Sequence, residues 1–539
     1  MSTTEGAVQR HPKGLYVLFA TEMWERFSFY TMTAMFALYM RDTTGQGFGW
    51  SVDDTQLLYS NYIMCVYVSP IFGGWIADKK IGYRKSIMIG GVFFMAGHLL
   101  LSIRSMPAVY AALVCLVIGN GFFKPNVSAM VGNLYTEGSH LKDRAYNIFY
   151  MGINVGAFLA PVVAEFMKSR FGFHPAFAVA VGGMAISIFI LWKFKKYIEM
   201  ADIPSTQSAK AKADAAAVAA DAPPSEVSHQ DTVNAGRLAA MDAVPDWKRV
   251  GALIVIFAIV VVFWMVFHQN GSTLTYWADD NTDWSLSGTI SNALNPFFVI
   301  TLTFPLVLLL KWLDQRGKEP STPTKMVIGM FLTGLSFIIL FFAAKSGESM
   351  PVENALSSSF SFRVTDRSLK YLRDDGVPQA LLDKLQTFGA DGRQVIKSRK
   401  FASDGAVTGQ EKLREALSIV LDPQEVEQYY EPILRRAYIF RVSPIWLILA
   451  YIVITIGELM LSPMGLSLVS KVAPLRVRGL MMGGWFAATA IGNLLTAIGV
   501  YWEVWNQSTF FIVLGGMAIL IALVLLFVLR PLKKAMPGV

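Results

Sequence analysis

The feature that most constrains this chain is a set of charges inside its first membrane-length apolar segment: Glu22, Glu25 and Arg26, in the run Thr21-Glu22-Met23-Trp24-Glu25-Arg26-Phe27-Ser28-Phe29-Tyr30. Each charge at a membrane helix centre costs about 2.5 to 3.5 kcal/mol on the insertion scale, so three in one helix require ionic partners, a wet cavity or both. Helical periodicity puts Glu22, Arg26, Phe29 and Thr33 on one stripe, with Tyr30 beside it and Glu25 a neighbour of Glu22. That stripe has to face a polar interior rather than lipid.

The segment is one of many. The 539 residues are 54% hydrophobic, 13% aromatic and only 16% charged, which is too apolar for an ordinary soluble domain of this length. Apolar runs of about 20 residues or more recur at about 14–40, 54–77, 86–104, 107–136, 143–167, 174–193, 249–276, 287–311, 326–344, 443–470, 479–503 and 508–529. This reads as an all-α membrane protein of twelve helices in two six-helix bundles. Five segments follow: an N-terminal bundle at 1–197, a cytoplasmic linker at 198–246, helices 7–9 at 247–346, an extracytoplasmic insertion at 347–440, and helices 10–12 at 441–539.

Basic residues gather in alternate connections, among them Lys79, Lys80, Arg84 and Lys85, Lys193, Lys195 and Lys196, and Arg530, Lys533 and Lys534. The positive-inside rule then puts both termini in the cytoplasm of a multi-pass plasma-membrane protein, with the first span as an uncleaved signal anchor. The formal charge of +8 belongs to loops facing anionic lipid; nucleic-acid binding is not expected. Cys65 and Cys115 both lie within spans, so neither a disulfide nor a metal framework is expected.

The linker is rich in Ala, Asp, Ser, Pro and Lys and reads as mostly disordered. The insertion differs: apolar positions recur in Leu369-Lys370-Tyr371-Leu372, in Ala380-Leu381-Leu382-Asp383-Lys384-Leu385 and from Gln410 to Val420, the pattern of a small helical domain. The halves echo each other. Gly82-x-Arg84-Lys85 follows the second span and Asp314-Gln315-Arg316-Gly317-Lys318 the eighth, while Lys124-Pro125-Asn126 interrupts the fourth and Ser462-Pro463-Met464-Gly465 the tenth. Repeat-related, Pro-broken helices point to a midplane binding site in a transporter.

The run Glu22-x-x-Glu25-Arg26-Phe27-x-x-Tyr30 resembles the first-helix signature of the proton-dependent oligopeptide transporter family of the major facilitator superfamily. Gly73-Gly74-Trp75-Ile76-Ala77-Asp78, Phe149-Tyr150-Met151-Gly152-Ile153-Asn154, Asn295-Pro296 and Gly457-Glu458-Leu459-Met460-Leu461-Ser462-Pro463 resemble it further. The resemblance covers the membrane part and neither insertion. It implies import of di- and tripeptides with protons as the coupling ion, by alternating access, with no other cofactor, no catalytic residue and a monomer as the functional unit.

Residue chemistry agrees. A peptide zwitterion needs an anion at its ammonium, a cation at its carboxylate and amide-type partners between. Glu458 suits the ammonium, Lys124 the carboxylate, and Asn154 and Asn295 the backbone, with Ser462 in the same set. Tyr30, Tyr67, Phe29, Trp264 and Trp485 suit tolerant side-chain pockets, core packing being the alternative for the two tryptophans. Glu22, Glu25, Arg26 and His268 form the proton-coupling set. In the empty state Lys124 is expected to pair with a carboxylate among Glu22, Glu25 and Glu458. His98, without a charged neighbour in sequence, reads as a packing residue.

The chain departs from the resemblance at two positions. Many members carry an Arg seven residues after the signature's Arg and a Glu before the Gln of the seventh helix; here these are Thr33 and His268. Losing both avoids an unpaired intramembrane charge. His268 is then either an added proton-sensitive group, since imidazole titrates near about 6.5, or a neutral side chain bonded to Thr33 or water. The competing functions are transport of another solute such as nitrate, and a sensor that recognises ligands through residues 347–440; a membrane enzyme fits least.

Overall fold

The computed structural model describes residues 11–537 apart from 43–44, 136–139, 203–240, 242, 351–360, 388–400, 403–408, 462–467, 470–471 and 475–476. Ten helical stretches among them are long and apolar enough to cross a bilayer. Two more, α1 (Lys13–Arg41) and α2 (Val52–Ile76), carry the charges and complete the expected twelve. In the N-terminal half these are followed by α3 (Tyr83–Leu101), α4 (Met106–Asn133), α5 (His140–Phe171) and α6 (Phe173–Lys193). The seventh span is α7 (Asp246–Phe267), a 3-10 turn at His268–Gly271 and α8 (Thr273–Asp280). Then come α9 (Leu294–Asp314) and α10 (Thr322–Glu348).

The insertion folds as α11 (Asp366–Asp374), α12 (Gln379–Leu385), α13 (Gly409–Ser418) and α14 (Pro423–Ala437). The apolar periodicity is its core: Leu369, Leu372, Leu381, Leu382, Leu385, Leu413 and Leu417 all bury there. Capping boxes at Thr365/Ser368 and Asp422/Glu425 start α11 and α14. A small antiparallel sheet, absent from the sequence reading, joins β1 (Ser361–Phe362) to β2 (Phe401–Ala402) and β3 (Tyr438–Ile439). The chain then re-enters the membrane part as α15 (Pro444–Leu461), α16 (Arg478–Leu495) and α17 (Gln507–Ala535).

The expected interruption at Lys124-Pro125-Asn126 is not a break, because α4 is helical on both sides of Pro125. Neighbouring groups satisfy the backbone there, Asn126 Nδ2 and Ser86 Oγ both donating to the Phe122 carbonyl at 2.7 and 3.0 Å. The counterpart at Ser462-Pro463-Met464-Gly465 lies outside the described residues. The seventh span breaks instead. Gln269 Nε2 donates to the carbonyls of Met265 and Thr496, and Thr273 Oγ1 to Gln269 Oε1, which meets the groups freed at the turn. The paired loops after the second and eighth spans share a backbone feature: Gly82 (φ 81°) and Gly317 (φ 65°) both adopt left-handed φ, where a Cβ is strained.

The chain divides into two compact units, Met1–Met32 with Cys65–Gly236 and Thr33–Met64 with Arg237–Val539. Thus the second unit includes the outer parts of α1 and α2. Most of the linker lies outside the described residues; on its flanks, Lys195–Tyr197 and Glu199–Ala201 are single 3-10 turns.

Candidate functional site

In the first unit the charges of α1 are fully enclosed, Glu22, Glu25 and Arg26 being at most 3% exposed. Helix spacing favours Arg26 pairing with Glu22, four residues earlier. The structure gives the closer pair to Glu25: Arg26 Nε and Nη2 donate to its two oxygens at 2.5 and 2.6 Å, while Glu22 Oε1 stands 3.5 Å away. A two-pronged guanidinium–carboxylate contact is the stronger geometry, and it leaves Glu22 Oε2 buried with no hydrogen-bond partner among the described residues. Arg26 also lies 4.9 Å from the Phe29 ring centroid and 6.0 Å from that of Tyr30.

Asn120 extends the cluster. It accepts from Arg26 Nη2 at 3.4 Å and donates to the Val66 carbonyl at 2.7 Å, tying α1 and α2 to α4. One turn further along α4 is Lys124, whose Nζ lies 5.1 Å from the Tyr67 ring centroid. Close approach of α2 and α4 makes this possible: a Cβ on Gly73 would sit 1.9 Å from the Gly121 carbonyl oxygen. The expected pairing of Lys124 with Glu22 or Glu25 is not formed, because Arg26 engages both carboxylates and Lys124 faces an aromatic ring. Asn154 bonds back to the Tyr150 carbonyl of its own helix, at 2.9 Å, and so spends one donor on α5. His98 is buried and stacked on Phe94, but neither ring nitrogen has a hydrogen-bond partner among the described residues, so it is not the satisfied packing residue expected.

In the second unit, Asn295 Nδ2 donates to Glu458 Oε2 at 2.8 Å and to Thr455 Oγ1 at 3.1 Å, both partners lying on α15. The α15 backbone is held close to α10 by another bare contact, a Cβ on Gly457 falling 2.7 Å from the Gly329 carbonyl oxygen. Trp264 stacks on His268 with ring centroids 4.9 Å apart, and its Nε1 is buried without an acceptor among the described residues. Trp485 packs edge-on to Phe257 in an apolar core of α7, α16 and α17, which matches the packing alternative. Thr33 is buried in this unit. Ser462 lies outside the described residues.

An ionic cluster in the second unit, where α1 ends, escaped the sequence reading. Arg41, the last residue of α1, lies 3.7 Å from Asp280 and 3.4 Å from Glu503. Arg363 of the insertion bonds Asp280 at 2.7 Å and lies 3.7 Å from Glu503. Arg41 also stacks over the Tyr276 ring, 3.9 Å from its centroid. Deeper in, Gln56 of α2 donates to the Thr496 carbonyl at 2.7 Å, the acceptor that Gln269 also uses. The C-terminal end of α1 and the N-terminal part of α2 are therefore bonded to α8, to the segment after α16 and, through Asp280 and Glu503, to the insertion. The available signal was a charge at the end of each apolar run, Arg41, Asp280 and Glu503.

A bundle of twelve spans with buried ions on Gly-packed helices defines a multi-pass membrane transporter of small charged solutes. The profile of the POT family matches residues 84–365 and 422–511, and the chain belongs to that family. It is similar to an uncharacterized transporter, YclF, of Bacillus subtilis (strain 168), at 28% identity over 98% of this chain and 96% of the relative. It is also similar to the di-/tripeptide transporter of Lactococcus lactis subsp. cremoris, at 26% identity over 100% and 99%. Among solved structures it resembles a mutant of peptide transporter POT in complex with alafosfalin, with a TM-score of 0.69, 27% identity and coverage of 99% of this chain and 97% of that one.

Proposed function

We infer that this protein imports di- and tripeptides across the plasma membrane in symport with protons, by alternating access, with both termini in the cytoplasm and a single chain as the working unit. The observation that carries this reading is the pair of opposite charges on repeat-related helices, Glu458 buried and Lys124 half-buried. Glu458 is held by a neutral amide, and Lys124 is held by an aromatic face. In the second unit a peptide ammonium can replace the Asn295 bond to Glu458; in the first, taken by itself, Lys124 is a cation that a carboxylate can neutralise. The Trp264 N–H is a donor left for a backbone carbonyl. The family and the di-/tripeptide transporter of Lactococcus support the substrate class.

Proton coupling is assigned to Glu22. Its Oε2 makes no hydrogen bond among the described residues, so adding a proton there breaks none, whereas Glu25 is committed to Arg26 by two. A proton carried inward gains about 2.3 kcal/mol per 100 mV of membrane potential. Release of the outer ionic cluster is the step that frees the ends of α1 and α2 for outward opening.

The test is uptake of a labelled dipeptide into proteoliposomes under an imposed pH gradient. Uptake above the equilibrium level that collapses with a protonophore is expected, with competition by unlabelled di- and tripeptides and none by nitrate. Gradient-independent equilibration, or displacement by nitrate alone, would reject the proposal.

A further inference from the structure

At the end of α7 and α17 that carries Lys248, Arg530, Lys533 and Lys534, the second unit contains a cleft that peptide transport does not use. It measures about 800 Å³ and is bordered by Trp247, Lys248, Val255, Val528, Arg530 and Lys534. Trp247 is 72% exposed, and Lys248 Nζ lies 5.4 Å from its ring centroid. No acid lines the cleft, and among the described residues Lys248, Arg530 and Lys534 form no ion pair. Arg84, in a smaller cleft between α3 and α6 of the first unit, is different: Asp202 and Glu199 stand 3.7 and 3.9 Å from it. The cation that holds the local fold is also separate, since buried Arg249 donates to the Val472 carbonyl at 2.7 Å.

Three uncompensated cations, an interfacial tryptophan and aliphatic walls at the basic end of two membrane spans complement one kind of molecule. The cations suit a phosphate headgroup and the Val255 and Val528 wall suits an acyl chain. We propose that the cleft between α7 and α17 binds an anionic diacyl phospholipid of the inner leaflet. The apolar wall decides for a lipid over a soluble phosphate. Each basic residue at a membrane surface contributes about fivefold to binding of anionic lipid, so three give roughly a hundredfold. Occupancy ties α17 to α7, the helix that carries Trp264 and ends at Phe267, just before His268.

The full-length protein, delipidated in mild detergent, is titrated with phosphatidylglycerol or with phosphatidylcholine of the same chains and read by native mass spectrometry. At least tenfold stronger retention of the first phosphatidylglycerol is expected. The triple variant Lys248→Ala, Arg530→Ala, Lys534→Ala should reduce it to the phosphatidylcholine level, and Arg530→Lys should preserve it. On the unmodified protein, a photoactivatable phosphatidylglycerol should label peptides from 243–255 or 528–535. Equal retention of the two lipids, labelling elsewhere only, or a triple variant that keeps the preference overturns the assignment. A dimer that the triple variant dissolves, without lipid preference, would give the cleft to a second copy of the chain instead.

Discussion

Arg41, at the outer end of α1, and Arg363, in the outer domain, bind one carboxylate between them: Asp280 Oδ2 lies 3.7 Å from the first and 2.7 Å from the second. Glu503 balances the second cation, so the cluster is neutral and buried. Arg363→Ala removes the closer of the two cations from buried Asp280, which should cost roughly 3 to 5 kcal/mol and lower the melting temperature. Adding Glu503→Gln should recover part of that loss, with a coupling of at least about 0.5 kcal/mol. Strict additivity of the two substitutions would show that the four groups do not act together.

Glu22 and Glu25 are adjacent in role in the sequence but not in geometry. Glu25→Gln removes the charge and one of the two oxygens that accept from Arg26, leaving Glu22 at 3.5 Å as its remaining carboxylate, so a loss of roughly 1.5 to 3 kcal/mol in stability is expected. Glu22→Gln keeps the Glu25 contact. It should change stability by only about 1 kcal/mol while abolishing proton-driven accumulation and sparing peptide exchange. Thermal unfolding alongside driven uptake and counterflow separates the two; a stable Glu25→Gln protein beside an unfolded Glu22→Gln protein would reverse the roles.

Much of this was legible because charges stand out in apolar helices. Glu22, Glu25, Arg26, Lys124 and Glu458 could each be picked from the sequence, and Asn295 beside its proline, though not its bond to Glu458. Three things were not legible. Helix spacing names Glu22 as the partner of Arg26, yet the longer reach of the guanidinium lets it turn across the helix toward Glu25 and Asn120. Asn120 is neutral and looks ordinary in a membrane span. The outer cluster joins residues 41, 280, 363 and 503, whose meeting depends on how the insertion docks, and no local pattern encodes that.

The Asn295–Glu458 bond makes a prediction about substrate ends. Glu458→Gln should weaken binding of a free dipeptide by at least about tenfold, the cost of a charge-assisted hydrogen bond, and should leave an N-acetylated dipeptide almost unaffected. Asn295→Ala should be milder, because it removes a neutral donor and keeps the carboxylate that meets the ammonium. Inhibition constants for the two peptides read this out directly. Equal losses for free and acetylated peptides would mean that Glu458 does not meet the ammonium.

The last prediction concerns acid and the outer domain. Arg436 hydrogen-bonds Asp375 and holds its carboxyl below the ordinary range, and Lys384 does the same for Glu425, aided by the Asp422 backbone N–H. A carboxyl lowered by folding contributes stability above its unfolded pKa, about 3.9 for Asp and 4.3 for Glu, and that contribution is lost as pH falls through the lower folded value. Lys384 is raised, first by its hydrogen bond to Glu425, so its contribution is present below about 10.4 and is lost as pH rises through the higher folded value. Both pairs are solvent-exposed, so each effect is small and screened by salt. Limited proteolysis of residues 361–440 should therefore be flat from about pH 5 to 9 and rise outside that window, with the acid limb weakened by Arg436→Ala. Uptake that changes between pH 5 and 8 with proteolysis flat then originates outside the insertion, whereas a parallel change in proteolysis over that range would trace it to the insertion.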